Sequence, residues 1–194
     1  MNMATAALKQ APEIHDEERR DPRSRLEGLC DPGSFMALRS AVRSIRGDLN
    51  GDGVLAGAGT LDGRPVYCYA QDPTYMGGSL GEAHAESIVR TMELAGESGA
   101  PVVGFVESGG ARLQEGHQAL AGYGRIFRAS VELQELVPQV SIVCGVSAGG
   151  GAYSPALTDF VVMTQQARMF LTGPKVVREA LGEDVSMEEL GGPG

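Results

Sequence analysis

From about residue 54 onward the chain alternates short apolar runs with longer stretches of helical spacing. Residues 54–60 and 65–71 are apolar runs of strand length, joined by Leu61-Asp62-Gly63-Arg64. An Asp-Gly pair between two such runs predicts a β-hairpin, because it supplies the positive-φ residues of a tight turn. Ser79 stands three residues before Glu82, a capping box that predicts a helix start. That helix would carry Ala85, Ile88, Val89, Met92 and Ala95 on one face and stop at Gly99-Ala100-Pro101. A strand over 102–106 follows, then a helical region in which Leu120, Phe127, Val131 and Leu136 fall near one face. Strands over 140–146 and 160–163 flank a glycine loop and a short helix. A further helix is expected from Pro174, and Ser186 with Glu189 forms a second capping box. Strands alternating with helices pair in parallel through crossovers, so the pattern predicts an α/β fold.

The ends read differently. Residues 1–23 are polar, mixed in charge and carry Pro12 and Pro22, which predicts a flexible arm ahead of one domain over 24–194. The run Asp48 to Gly53 begins like a calcium loop, yet its twelfth position is Gly59 where a bidentate Glu is required, so it reads as a turn. The sequence stops soon after the helix opened at Ser186, as a truncated domain would.

Composition narrows the classes. With 42% hydrophobic and 21% charged residues, the chain is of ordinary globular make-up. A net charge of −9 argues against nucleic-acid and anionic membrane partners, although Arg112, Arg125 and Arg128 form a local basic island. Cys30, Cys68 and Cys144 are far apart and make no metal spacing, which predicts no metal site and reduced thiols in the cytoplasm. No apolar run approaches the roughly 20 residues of a membrane helix.

The chemistry concentrates in residues 140–157, where a buried strand runs into Gly149-Gly150-Gly151 and then a helix. Upstream, the strand ending at Glu107 runs into Ser108-Gly109-Gly110-Ala111-Arg112 in the same way. Amides that open a helix have no intrahelical acceptor, and glycine lets a ligand approach them, so two such turns suit an anion or a developing oxyanion. The rival reading is Gly145-Val146-Ser147-Ala148-Gly149, a nucleophile-elbow pattern that would make the chain a serine hydrolase. The elbow's fold needs a histidine after the serine, and His15, His84 and His117 all precede it. The absence of Gly-Lys-Ser/Thr excludes a P-loop. What chemistry there is must lean on backbone amides.

The stretches Gly78 to His84, Ser108 to Gly116 and Ala148 to Phe160, with Phe170-Leu171-Thr172-Gly173-Pro174 and Glu189-Leu190-Gly191-Gly192 after them, resemble the carboxyltransferase (β) subunit of biotin-dependent acyl-CoA carboxylases. The propionyl-CoA carboxylase type is the most similar, over roughly residues 25–192. The resemblance implies a crotonase-like (ClpP/crotonase) spiral of ββα units, as the N-terminal carboxyltransferase domain only. It implies that Gly149 and Gly150 donate N–H groups to the thioester carbonyl as it becomes an enolate, while Ser108, Gly109, Gly110, Ala111 and Arg112 hold coenzyme A. The carboxyl group would come from carboxybiotin on a separate carrier protein, with the biotin left behind taking up the α-proton. Partners implied are acyl-CoA, a biotin carboxylase and carrier subunit, and a second carboxyltransferase domain in an oligomer. An acyl-CoA decarboxylase component and a non-catalytic CoA-binding partner remain open beside this reading.

Overall fold

The computed structural model describes residues 21–43 and 51–193. The core is a seven-stranded sheet: β1 (Met36–Leu38), β2 (Val54–Leu61), β3 (Arg64–Gln71), β4 (Val102–Ser108), β5 (Gln139–Ala148) and β6 (Phe160–Met163) lie in that order, and β7 (Arg168–Phe170) pairs with the far end of β5. The first three strands are antiparallel, and β3 through β6 are parallel. Among the described residues six α-helices accompany them: α1 (Pro22–Leu29), α2 (Glu82–Ser98), α3 (His117–Leu133), α4 (Gly150–Ala156), α5 (Pro174–Leu181) and α6 (Met187–Gly191).

The hairpin forms as its sequence predicts. Asp62 and Gly63 take φ of 50° and 72°, a two-residue turn with both central residues left-handed. The Asp31 carboxylate braces it from outside by accepting from both turn amides, Asp62 at 3.0 Å and Gly63 at 2.9 Å. Those bonds and the one from the Thr60 hydroxyl hold the Asp31 carboxyl below its ordinary range.

Helices α2 and α3 cover one face of the sheet, where Tyr69, Leu80, Ile88, Met92, Tyr123, Ile126 and Leu133 form the larger core. Helix α1 covers part of the other, closing Leu26 and Cys30 over Val66, Cys68 and Val103. The arm expected over 1–23 falls largely outside the described residues, and its last two, Pro22 and Arg23, belong to α1. Residues 48–50 of the turn before β2 also lie outside them.

Two local readings change. The capping box at Ser79 does not form: Gly81 is the N-cap of α2, and the Glu82 amide donates instead to the Glu115 carboxylate at 2.7 Å. A side chain 33 residues away takes over the local role, because the loop carrying Glu115 is pressed against the helix start. On α3, Leu120 and Val131 are 65% and 59% exposed, and Leu136 lies beyond the helix. The buried stripe is Ala119, Tyr123, Ile126, Ser130 and Leu133, one helical face at 3- and 4-residue spacing. The second capping box is present, with Ser186 Oγ accepting from the Glu189 amide and the Glu189 side chain from the Ser186 amide.

Candidate active site

The two glycine turns follow the carboxyl ends of β4 and β5, which are neighbours, and Ser108 pairs with Ser147 across the join. In an open parallel sheet this edge is where ligands sit. A third segment lies against them: Gly109 donates to the Gly77 carbonyl at 3.0 Å, Leu80 to Gly110 and Arg112 to Leu80, each at 2.9 Å.

Within the first turn, Ser108 is fully buried and its Oγ accepts from the Gly110 amide at 3.2 Å. Gly110 has φ of 98°, which a residue with a side chain would hold only under strain. Among the described residues the Ala111 amide has no acceptor. Arg112 does not face solvent. Its side chain is 0% exposed, bonded by Nη1 to Asp52 at 2.6 Å and Glu115 at 2.8 Å and by Nη2 to the Ser79 carbonyl at 2.8 Å. The guanidinium also lies 5.2 Å from the Tyr75 ring centre. The expected basic island therefore does not exist as a surface: Arg112 is interior, and Arg128 is exposed and paired with Glu132 on its own helix.

In the second turn, Gly149 caps α4 with φ of 56°. Its own amide donates to the Phe170 carbonyl at 3.2 Å, so it is not a free donor. The Gly150 and Gly151 amides open the helix and have no acceptor among the described residues. Ser147 lies within β5, one residue before its end, fully buried with Oγ unpartnered, and the His84 Nε2 atom is held by Gln71 at 3.2 Å.

Behind the turns runs a buried polar chain with no trace in the spacing of the sequence. Arg25 bonds Glu107 at 2.7 Å, the Gln71 side chain accepts from the Glu107 amide at 3.1 Å, and Gln71 Nε2 meets His84 Nε2 at 3.2 Å. The His84 amide donates to Asp52, the partner of Arg112. Burial and the nearby Arg112 charge push the His84 imidazole down to about 3, leaving it neutral at pH 7. Burial pushes the Asp52 carboxyl up, although Arg112 pulls against it. His117 is exposed at the start of α3. Groups of three or more His, Cys, Asp or Glu able to hold a metal are absent among the described residues, and there no helix is long and apolar enough to cross a membrane.

A cavity of about 660 Å³ opens beside the first turn, lined by Gly77 and Gly109 at one end and by Phe105, Ile142, Val146 and the Arg25–Glu107 pair elsewhere. It does not reach Gly149, Gly150 or Gly151. The turns, with their unused amides, carry the chemical argument, and the cavity adds apolar volume next to them.

The sequence of residues 13–194 matches the family model described as carboxyl transferase domain. The chain belongs to that family. It is 49% identical over 177 residues to a putative propionyl-CoA carboxylase beta chain of Bacillus subtilis (strain 168), covering 89% of this chain and 35% of that one. Among solved structures, it superimposes with a TM-score of 0.86 and 45% identity on a transcarboxylase 12S subunit, a hexamer with hydrolysed methylmalonyl-coenzyme A bound. The match covers 91% of this chain and 37% of that one. A chain of the Pseudomonas malonate decarboxylase MdcD–MdcE hetero-dimer matches at TM-score 0.75 and 33% identity, over 88% of this chain and 72% of that chain. The crotonase-like carboxyltransferase fold is thus the fold of this chain. The carboxylase and transcarboxylase relatives are much longer, and the chain spans little more than a third of their length.

Proposed function

We propose that this chain is the acyl-CoA half of a carboxyltransferase, holding a small acyl-CoA thioester while its α-carbon exchanges a carboxyl group. The observation that carries the reading is the pair of side-by-side turns with unused amides, Ala111 in one and Gly150 with Gly151 in the other. Removing the α-proton or the α-carboxyl group of a thioester leaves an enolate, whose charge sits on the former carbonyl oxygen. Fixed N–H donors in a partly enclosed site stabilise that charge more than they stabilise the neutral carbonyl, and this lowers the barrier.

Gly149 shapes the turn, and the donor role falls to Gly150. In the first turn the part left to Arg112 is to fix the loop, while Ser108, Gly109, Gly110 and Ala111 present backbone to coenzyme A. Among the described residues no side chain is placed to act as a base: His84 is buried and bonded within the core, and the Ser147 hydroxyl is enclosed.

The family implies biotin, and the described residues do not fit its ring. The other buried side-chain donors and acceptors without partners include those of Tyr75, His84, Gln139 and Ser147, all on residues at most 7% exposed. None is open to a ureido group, so the carboxyl donor would be held by a second carboxyltransferase surface and delivered by a carrier subunit. Such an assembly would work in the cytoplasm, where its three free thiols stay reduced. The likeness to one chain of a hetero-dimeric decarboxylase supports a second version, in which the same enolate arises by loss of CO₂.

Gly150→Ala tests the site. A Cβ there would come within 2.6 Å of three carbons of the Tyr123 ring, so the amide must shift. Turnover of propionyl-CoA or methylmalonyl-CoA by the intact protein with its co-purifying subunits should fall about 10²-fold or more. In wild type labelled with ¹⁵N-glycine, propionyl-CoA should move the Gly150 amide resonance. A folded variant with unchanged turnover, and an unmoved resonance, would refute the reading.

A further inference from the structure

The Tyr123 side chain lies between the two turns and touches both. It comes from the middle of α3, is 5% exposed, and packs its ring under the Gly150 backbone, as the 2.6 Å approach to a Cβ built on Gly150 measures. Its Oη is 3.2 Å from Ser108 Oγ, and Ser108 Oγ takes the Gly110 amide at 3.2 Å. A serine hydroxyl has one hydrogen and two lone pairs, so it can serve the phenol and the amide together. The phenol stays neutral, since burial raises its ionisation to about 12. Below the ring, Tyr123 stacks obliquely on Phe127 at 5.9 Å, and Phe127 on Tyr153 of α4 at 5.8 Å.

From this arrangement we infer that Tyr123 is a positioning residue for carboxyl transfer, setting the distance between the Gly110 turn and the Gly150 amide through its Ser108 bond and its ring. The inference rests on the enolate site proposed above. The two turns touch directly at Gly110 with Ala148 and at Gly151 with Ser108, and Tyr123 adds a side-chain bridge between them; an oxyanion feels donor displacement more than a neutral carbonyl does. The phenol is buried and bonded to Ser108, set back from the open side of the turns. Its effect should therefore fall on the chemical step and spare ground-state binding.

The test is a cycle of Tyr123→Phe, Ser108→Ala and the double variant in the intact protein with its co-purifying subunits. Phe keeps the ring and hence the packing. Tyr123→Phe is expected to lower kcat about 3- to 10-fold, the range one lost hydrogen bond gives, with KM and the calorimetric Kd for propionyl-CoA within about twofold and Tm preserved. If the two hydroxyls act as one link, the double variant should be no slower than the slower single one. Unchanged kcat in Tyr123→Phe, losses that multiply, or a rise in KM that matches the whole effect would each overturn the inference. Gly150→Ala separates the two levels: a large loss there beside an unaffected Tyr123→Phe removes the positioning role and leaves the site standing, whereas unaffected turnover in both removes the site itself.

Discussion

Replacing Arg112 by Met should unfold this domain more readily without touching a ligand directly. The guanidinium is fully buried against Asp52 at 1% and Glu115 at 5% side-chain exposure. Met fills much of the volume but leaves two carboxylates enclosed with no cation, and breaking a buried pair in this way costs about 3–5 kcal/mol. Against a total stability of roughly 5–15 kcal/mol for a domain, that is a large share. With a urea dependence of about 2 kcal/mol per molar, the midpoint should fall by about 2 M at pH 7.5. The deficit should also shrink in acid. Burial already raises the Asp52 carboxyl, and without Arg112 nothing would pull it back, so its folded-state pKa would lie above the unfolded value near 4 and the penalty, present above that range, fades as pH drops toward it. Urea unfolding followed by circular dichroism at pH 7.5 and pH 5 measures both effects. A midpoint within about 0.3 M of wild type, together with weakened acyl-CoA binding, would refute the argument and return Arg112 to the ligand.

His84 has a depressed folded-state pKa, about 3, so the unfolded chain binds a proton the folded one refuses. Its contribution is fully present above about pH 6.5 and is lost as pH falls toward 3, amounting to about 2 kcal/mol between pH 7 and 5; His84→Gln should flatten the urea midpoint over that interval, and an unchanged slope would count against it. Ser147 should not react with a fluorophosphonate, and Ser147→Ala should keep most of the activity; stoichiometric labelling at Ser147 by intact mass would restore the hydrolase reading.

The hairpin, the parallel alternation and the two glycine turns were legible because each rests on residues adjacent in sequence. Asp62-Gly63 is a turn by its own dihedral preferences, and Gly149 to Gly151 mark a close approach whatever surrounds them. The Arg112 role was not legible, since its partner Asp52 lies 60 residues away and nothing local distinguishes a buried arginine from an exposed one. The same holds for Glu115 displacing Ser79 at the start of α2, a competition decided by loop packing. The bond from the Gly149 amide to the carbonyl of Phe170 was not legible either, since Phe170 belongs to β7, a strand too short to show a period. Tyr123 could have been found: Ala119, Tyr123, Ile126 and Leu133 keep helical spacing, and following Leu120 and Val131 instead pointed to the exposed side of the helix.

Among the described residues strand β6 pairs only with β5, so its other backbone edge is open there. Successive side chains on a strand point to opposite faces, and Phe160, Val161 and Val162 are 64%, 41% and 53% exposed, so apolar surface is bare on both faces beside that edge. An uncovered, apolar, uncharged strand is a template on which any extended segment can add, including β6 of another copy. During synthesis or refolding, such an edge would set correct assembly and self-association in competition at β6 until something covers it.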